Sequence, residues 1–248
     1  MNYLYEGKKR INYYDLDMSG KIKLSALLRM VHVAAEENAN DIGIGFEVLS
    51  KLNISFVLQR FGVKVIRMPS YNETVTIRTW PESIARGTFL RKGDMYDENG
   101  NKIMEWASLW ILFDIKNRKI LKPSALPVLL PNLEGYGVIL IPQKINIPKD
   151  INEWGKNHSR HKKTVRYAEV DTNIHMNNSI YGDLIGNALY PSEESLKQVP
   201  VWKEIHINYL GETRLGEEID IETQYHGNEY LIVGTAPGRL SFVSSVKV

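Results

Sequence analysis

The chain of 248 residues contains no cysteine. Disulfides, thiolate metal ligands and a cysteine nucleophile are therefore excluded. The sequence also lacks a Gly-x-Ser-x-Gly segment, the turn that positions the serine of an α/β-hydrolase, and it lacks a glycine loop of the kind that binds phosphate. No two histidines have the spacing of a zinc-binding helix, so we expect no metal site.

Long apolar runs are absent as well. No stretch approaches the roughly 20 apolar residues that a membrane-spanning helix needs. The N-terminal segment has its charges after its apolar residues and lacks the apolar centre of a signal peptide. We therefore expect a cytoplasmic protein. A hydrophobic content of 43% and a charged content of 24% are ordinary for a soluble globular chain.

The net charge of +2 is too small to indicate nucleic-acid binding. The basic residues are nevertheless clustered at 116–122 and at 156–166, and neither segment contains an acidic residue. Such clusters are typical of a solvated linker or of a docking surface for an acidic partner. The sequence leaves both interpretations open.

Two passages of the chain resemble each other at an offset of 154 residues, which aligns Asp17 with Asp171. In each passage a short polar segment precedes an apolar one. The apolar segments, 25–35 and 180–189, predict two helices. Because these helices lack a polar face, each should be covered by a sheet.

Strand-like segments follow each predicted helix. They lie at 63–79, 88–96 and 102–114 in the first copy, and at 207–223, 229–235 and 239–248 in the second. Their apolar and polar residues alternate, and Asn99-Gly100 is a strong hairpin signal. Residues 117–158 are rich in Pro, Asn and Lys and predict a long connector. A helix followed by antiparallel strands, twice over, predicts an α+β fold of two units.

The segment from Asp171 to Asn178 gathers most of the polar chemistry. It places a carboxylate, an amide and an imidazole at alternate positions, Asp171, Asn173 and His175. Alternate residues of an extended chain project to one face, so these groups can converge. Asn177 or Asn178 is a favoured N-cap for the second helix, whose first amides attract negative charge. A histidine that exchanges protons near neutral pH beside such groups predicts hydrolysis of an acyl bond.

The repeated pattern resembles the hot-dog fold, in which a curved antiparallel sheet wraps a long central helix, here as a tandem pair. Within that fold, almost the whole chain resembles the acyl-acyl-carrier-protein thioesterases of plant plastids and bacteria. The most specific match is Asp171-x-Asn173-x-His175-Met-Asn177-Asn178-x-x-Tyr181. A second match is Tyr209 followed three residues later by Glu212.

The resemblance implies different tasks for the two copies. It implies an N-terminal repeat at 1–116 that binds the acyl chain, a connector at 117–158 and a catalytic C-terminal repeat at 159–248. The first copy has Ser19, Lys21 and Met68 where the second has Asn173, His175 and Glu212. The first copy therefore lacks the residue types for the same chemistry.

The resemblance also implies catalytic roles. Glu212 and His175 are expected to activate water, and Asn173 to hold that water or the anionic oxygen. Asp171 is expected to orient these side chains, with direct attack on the thioester left open. Plant members have a cysteine where this chain has Thr213, which favours a mechanism based on carboxylate, amide and imidazole groups.

Substrate contacts are expected from Asn177, Asn178 and Tyr181, although these residues also suit ordinary capping and packing roles. Met30, in the first helix, is expected to contact the acyl chain. No cofactor is needed, because a thioester is already activated.

The expected function is hydrolysis of fatty acyl-acyl-carrier protein to free fatty acid and holo-carrier protein. The carrier is expected to be acidic, so the two basic clusters could steer it. An acyl-CoA thioesterase, a hot-dog hydratase or dehydratase, and a non-catalytic acyl-binding module remain alternatives. Acyl chain length and the pairing of two chains as a homodimer are left open.

Overall fold

The computed structural model describes residues 3–85, 87–128, 130 and 136–248, without the side chains of 83–85. Residues 129 and 131–135 of the predicted connector lie outside this description. The chain forms two compact units. The first comprises Met1–Tyr14 and Arg29–Pro142, and the second comprises Asp15–Leu28 and Gln143–Val248. No described helix is long and apolar enough to cross a membrane.

The first unit is built around an antiparallel sheet. Its elements are β1 (Tyr5–Arg10), α1 (Leu24–Asp41), α2 (Phe46–Lys51), β2 (Ile54–Val65), β3 (Thr74–Ala85), β4 (Thr88–Tyr96), β5 (Lys102–Asp114) and β6 (Lys119–Leu121). The strand order is β1-β3-β4-β5-β2, with β6 also paired to β5. The start of α1, through Leu28, counts with the second unit.

An apolar cluster joins the end of α1 and α2 to this sheet. Ile42, Ile44 and Leu49 pack with Phe89 of β4 and Leu112 of β5, and all five side chains are buried. Burial of each such side chain contributes about 1.5–3 kcal/mol. The cluster therefore fixes the helices against one face of the sheet.

The second unit contains two α-helices and five strands in the part of the chain that the structure describes. They are β7 (Lys156–Thr164), α3 (Ile180–Leu189), α4 (Ser195–Gln198), β8 (Glu204–Tyr209), β9 (Glu218–His226), β10 (Glu229–Ala236) and β11 (Arg239–Lys247). The antiparallel strand order is β8-β11-β10-β9-β7. A helix against an antiparallel sheet in each unit confirms the α+β expectation.

Helix α3 is buried because its sequence is apolar nearly all round. Leu184, Ile185 and Ala188 are at most 1% exposed, and the helix packs against β7, β9 and β10. A Cβ on Gly182 would lie 2.6 Å from the backbone nitrogen of Ser25. Glycine at this position therefore allows α3 to approach the start of α1 closely.

The interpretation of 156–166 as a linker is wrong, because residues 156–164 form strand β7. Two basic side chains of this strand are paired with acids on β9, and Lys163 is paired with Glu169. Arg160 lies 2.8 Å from Asp220, and Lys162 lies 2.7 Å from Glu218. The segment resembles a linker in sequence because the acids that neutralise it come from a distant part of the chain. The predicted domain bounds of 1–116, 117–158 and 159–248 stay a prediction.

Candidate active site

The segment 170–176 is a closed turn and not the extended chain that its alternation suggested. Its end residues form a β-bridge, and the Asp171 amide donates to the His175 carbonyl at 3.0 Å. The Asp171 carboxylate accepts the Asn173 amide at 2.9 Å. Aspartate favours such local turns because its short side chain competes for neighbouring backbone amides.

The first copy contains the same turn, which supports the internal repeat. The Asp17 amide donates to the Lys21 carbonyl at 2.8 Å, and the Asp17 carboxylate accepts the Ser19 amide at 2.8 Å. Gly20 has a φ of 75°, and Ile174 at the equivalent position has a φ of 66°. A β-branched residue rarely adopts this conformation, whereas glycine adopts it freely. The second copy therefore holds backbone strain next to the candidate histidine.

A backbone hydrogen bond joins the loop after β8 to this turn, and an arginine side chain holds the same loop to β11. The Met176 amide donates to the Thr213 carbonyl at 2.7 Å. Arg239 of β11 donates through Nε and Nη2 to the Glu212 carbonyl at 2.9 and 2.6 Å. A Cβ on Gly211 would lie 2.7 Å from a carbonyl oxygen of β11. Glycine there lets the loop lie close to the strand and so fixes the backbone that presents Glu212.

His175 and Glu212 lie together as a result. His175 Nε2 is 3.3 Å from Glu212 Oε2, and the side chains are 28% and 38% exposed. Arg214 Nη2 lies 3.4 Å from the same carboxylate oxygen. Water can reach this imidazole and this carboxylate, and their proximity suits general-base activation of water.

Asp171 and Asn173 belong to the same turn as His175. The carboxylate of Asp171 is half-buried and accepts a hydrogen bond from within the turn. The side chain of Asn173 is exposed. The structure thus pairs His175 with Glu212 and places Asn173 on the surface of the adjoining turn. The catalytic roles of all four residues stay predictions.

Asn177 organises the start of α3. Its Oδ1 accepts the amide and the hydroxyl of Ser179 at 2.9 and 2.8 Å, and its carbonyl accepts the Ile180 amide at 2.9 Å. The Gly182 amide donates to the Ser179 carbonyl at 3.0 Å. Three amides near the helix start therefore already have acceptors. The carbonyl of Asn178 accepts the Tyr209 hydroxyl at 3.4 Å.

Tyr181 and Thr213 meet in the interior of the second unit. Thr213 is 0% exposed, and its Oγ1 lies 2.7 Å from Ser241 Oγ. The Tyr181 hydroxyl lies 3.3 Å from both oxygens, and burial raises the pKa of Tyr181. The position that plant members fill with cysteine is therefore a buried hydrogen-bonding position here. Substrate contacts by Asn177, Asn178, Tyr181 and Met30 stay predictions.

Sequence reasoning missed Arg214 and Arg239, which hold the side chain and the backbone of Glu212. Arg214, two residues after the glutamate, could have been found from that spacing. Arg239 gives no local signal, because it reaches Glu212 from a separate strand.

Each unit also contains a cavity. One cavity of the first unit has a volume of about 280 Å³ and is lined mainly by apolar side chains, including Ile44, Phe56, Phe89 and Trp110. A cavity of the second unit has a volume of about 260 Å³, and its lining includes residues of the turn that begins at Asp17 and residues of α3. Neither cavity is lined by His175 or Glu212.

Comparison with known proteins identifies the family. The family model for the acyl-ACP thioesterase N-terminal domain matches residues 2–124, and the model for the C-terminal domain matches residues 153–235. A chloroplastic oleoyl-acyl carrier protein thioesterase from Coriandrum sativum is 21% identical over 234 residues. That match covers 87% of this chain but only 61% of the longer relative.

Two solved structures have the same fold. An acyl-ACP thioesterase from Bacteroides thetaiotaomicron has a TM-score of 0.82 at 21% identity, covering 99% of this chain and 98% of its own. The 12:0-ACP thioesterase from Umbellularia californica has a TM-score of 0.80 at 16% identity, covering 100% and 97%. The tandem hot-dog expectation is confirmed. The chain belongs to the acyl-ACP thioesterase family.

Proposed function

We propose that the protein is a thioester hydrolase that releases fatty acid from acyl-carrier protein. Membership of the family and the acyl-carrier substrates in the names of its relatives support this function. The observation on which the proposal depends is the 3.3 Å contact between His175 and Glu212 at a water-accessible position.

In the proposed reaction, Glu212 and His175 together remove a proton from water while its oxygen attacks the thioester carbonyl. A carbon–oxygen bond forms and the carbonyl oxygen becomes anionic. When this intermediate collapses, the carbon–sulfur bond breaks and the proton passes to the departing phosphopantetheine sulfur. The products are a fatty acid and the free thiol.

The anionic oxygen needs donors. The side-chain amide of Asn173 is exposed and can turn towards it. Because the amides of Ser179, Ile180 and Gly182 are already engaged, α3 would act mainly through its dipole, an effect of about 0.3–1 kcal/mol at exposed positions. Asp171 would keep the turn closed and so orient His175.

The apolar cavity of the first unit is the proposed site for the acyl chain. Aromatic and aliphatic side chains such as Phe56, Phe89 and Trp110 line it, and they favour hydrocarbon over a charged or strongly hydrated group. Met30 lies buried in α1 and is proposed to pack near the bound chain.

An acidic carrier protein is the proposed partner of the basic clusters. Lys162 is 62% exposed on β7, and its partner Glu218 is 51% exposed. Exposed pairs of this kind contribute only about 0–1 kcal/mol, so a carrier could compete for the lysine. The variant Lys162→Glu/Lys163→Glu should raise the KM for acyl-carrier protein at low salt. An unchanged KM would remove this surface from the proposal.

Release of thiol from a series of acyl-carrier proteins tests the function directly. The chain has no cysteine, so a thiol reagent reports only the liberated phosphopantetheine. Hydrolysis of carrier thioesters with higher kcat/KM than matched CoA thioesters is expected, and the reverse preference would favour an acyl-CoA thioesterase. A change in enoyl absorbance without thiol release would indicate a hydratase or dehydratase.

The non-catalytic alternative needs a separate variant. His175→Ala should abolish thiol release while acyl-chain binding survives. If wild-type protein binds acyl-carrier protein but releases no more thiol than His175→Ala, the protein is a binding module.

A further inference from the structure

Arg91 of β4 is a buried cation in the first unit. Only 9% of the surface of Arg91 is exposed to solvent. Its Nη1 donates to Asn38 Oδ1 at 2.8 Å and to Thr79 Oγ1 at 3.2 Å, and both acceptors are neutral. Among the residues that the structure describes, no carboxylate pairs with this guanidinium.

The surroundings of Arg91 are those of an apolar cavity. Arg91 lies opposite Ser108 in the β4–β5 register, and Phe89 lies opposite Trp110. Residues two apart in a strand project to the same face, so these four side chains share one face of the sheet. Phe89, Arg91 and Trp110 line the cavity of about 280 Å³.

His32 of α1 contributes a second polar group to the same lining. Its ring meets Trp110 edge to face at a centroid distance of 6.0 Å. Its Nε2 is buried without a hydrogen-bond partner in the described part of the chain. Burial lowers the pKa of His32 to about 4, so the imidazole is neutral at pH 7. Glu36 also lines the cavity, but its side chain is exposed.

A buried charge that has only neutral partners is costly, and a bound anion would offset that cost. Burial lowers the pKa of Arg91 only to about 10, so the guanidinium stays charged at pH 7. A planar guanidinium matches a carboxylate geometrically, and such charge-assisted hydrogen bonds are about twice as strong as neutral ones. An apolar cavity with one such group suits a ligand that has a hydrocarbon chain and one carboxylate.

We propose that the cavity of the first unit binds a free fatty acid, with its carboxylate on Arg91 and its hydrocarbon chain among Phe56, Phe89 and Trp110. This inference rests on the proposed function only in that the same cavity is proposed to hold the acyl chain of the substrate. The fatty acid is also the proposed product, so its binding here would make it a competitive inhibitor.

Isothermal titration of the full chain with octanoate and with octan-1-ol at pH 7.5 tests the proposal. The two probes have the same number of carbon atoms and differ in charge. Octanoate should bind at least about tenfold more tightly, because hydrogen bonds to charged groups contribute more than neutral ones. Equal affinities, or no detectable binding of octanoate, would overturn the proposal.

Variants locate the binding. Arg91→Gln should weaken octanoate about tenfold and leave octan-1-ol unchanged, whereas Arg29→Gln, an exposed arginine on α1, should change neither. Ala39→Leu fills part of the cavity and should weaken both probes. If Arg91→Gln does not fold, as judged by its thermal unfolding transition, the wild-type comparison and Ala39→Leu still decide. Unchanged octanoate affinity in Ala39→Leu would contradict the proposal.

The outcome is separable from the proposed function. The proposal predicts that His175→Ala binds octanoate as the wild type does, although it should not hydrolyse the substrate. Hydrolysis without octanoate binding would refute only the fatty-acid site. Octanoate binding without hydrolysis in the wild type would refute only the proposed activity.

Discussion

Replacing Glu212 by glutamine removes the carboxylate charge while keeping the size of the side chain. Glutamine cannot accept a proton from water or stabilise a protonated His175. Loss of a positioned general base costs about 100-fold to 10,000-fold in rate. We therefore expect kcat for thiol release from acyl-carrier protein to fall at least about 100-fold, with little change in KM.

The fold should tolerate this change. The side chain of Glu212 is 38% exposed, its partner His175 is 28% exposed, and Arg214 is 59% exposed. Pairs at such exposure contribute about 0–1 kcal/mol to the free energy of unfolding. For a chain of this size, the corresponding drop in Tm is at most about 2–4 °C. A large loss of rate with a small change in Tm would separate catalysis from stability.

Glu218→Gln is the matched control, because Glu218 lies in the same unit and pairs with an exposed lysine at 2.7 Å. Initial rates of thiol release, measured with a thiol reagent over a range of carrier concentrations, give kcat and KM for both variants. Glu218→Gln should keep a wild-type kcat. A kcat for Glu212→Gln within about threefold of the wild type, far less than the loss of a general base produces, would refute the role assigned to Glu212.

Three further variants test the surrounding structure. Thr213→Val should lower the free energy of unfolding by about 1–3 kcal/mol, measured by urea unfolding, because it removes the buried 2.7 Å hydrogen bond to Ser241. Retention of most of the kcat would agree with a structural position, and loss of all activity at full stability would not. Ile174→Gly should raise the free energy of unfolding by about 1 kcal/mol. Glycine removes left-handed strain of about 1–2 kcal/mol, and the greater entropy of the unfolded chain offsets part of this gain. A destabilised variant would show that the turn is unstrained. Gly211→Ala should lower kcat with a smaller effect on KM, because the alanine Cβ would clash with a carbonyl of β11 and displace the loop that carries Glu212. Wild-type kinetics would show that this close approach is not needed.

The parts of the fold with local sequence signals were predicted well. Strands β4 and β5 have the bounds expected from the Asn99-Gly100 hairpin, and α3 has the bounds expected from its apolar segment. Alternation and turn residues are signals that lie within a few positions of each other, so a single sequence is enough to identify them. Helix α1 extends to Asp41, beyond the predicted end at 35. The apolar pattern does not reveal its last turns, because they are more polar.

The parts that depend on distant residues were predicted less well. Strand β7 has the sequence of a basic linker, and only its pairing with β9 shows that acids neutralise it. The segment 63–79 alternates on both sides of a turn, but β2 pairs with β5 whereas β3 pairs with β1 and β4. Sequence pattern identifies a strand, but long-range packing selects its neighbours.

The candidate site shows the same limit. His175 and Glu212 could be chosen from the motifs that they match. Their proximity depends on a backbone hydrogen bond to Thr213 and on the side chain of Arg239, which holds the Glu212 carbonyl. A short turn before α3 could be expected from the sequence, but alternation of polar residues does not reveal the left-handed Ile174 that closes the turn at 170–176.

A double-mutant cycle in kcat tests most directly whether His175 and Glu212 act as one catalytic unit. The wild type, His175→Ala, Glu212→Gln and the double variant would be compared for thiol release from one acyl-carrier protein. Residues that act together lose nearly all their contribution when either is removed, so the double variant should be about as slow as the slower single variant. Losses that multiply, or single variants that retain wild-type rates, would contradict the account.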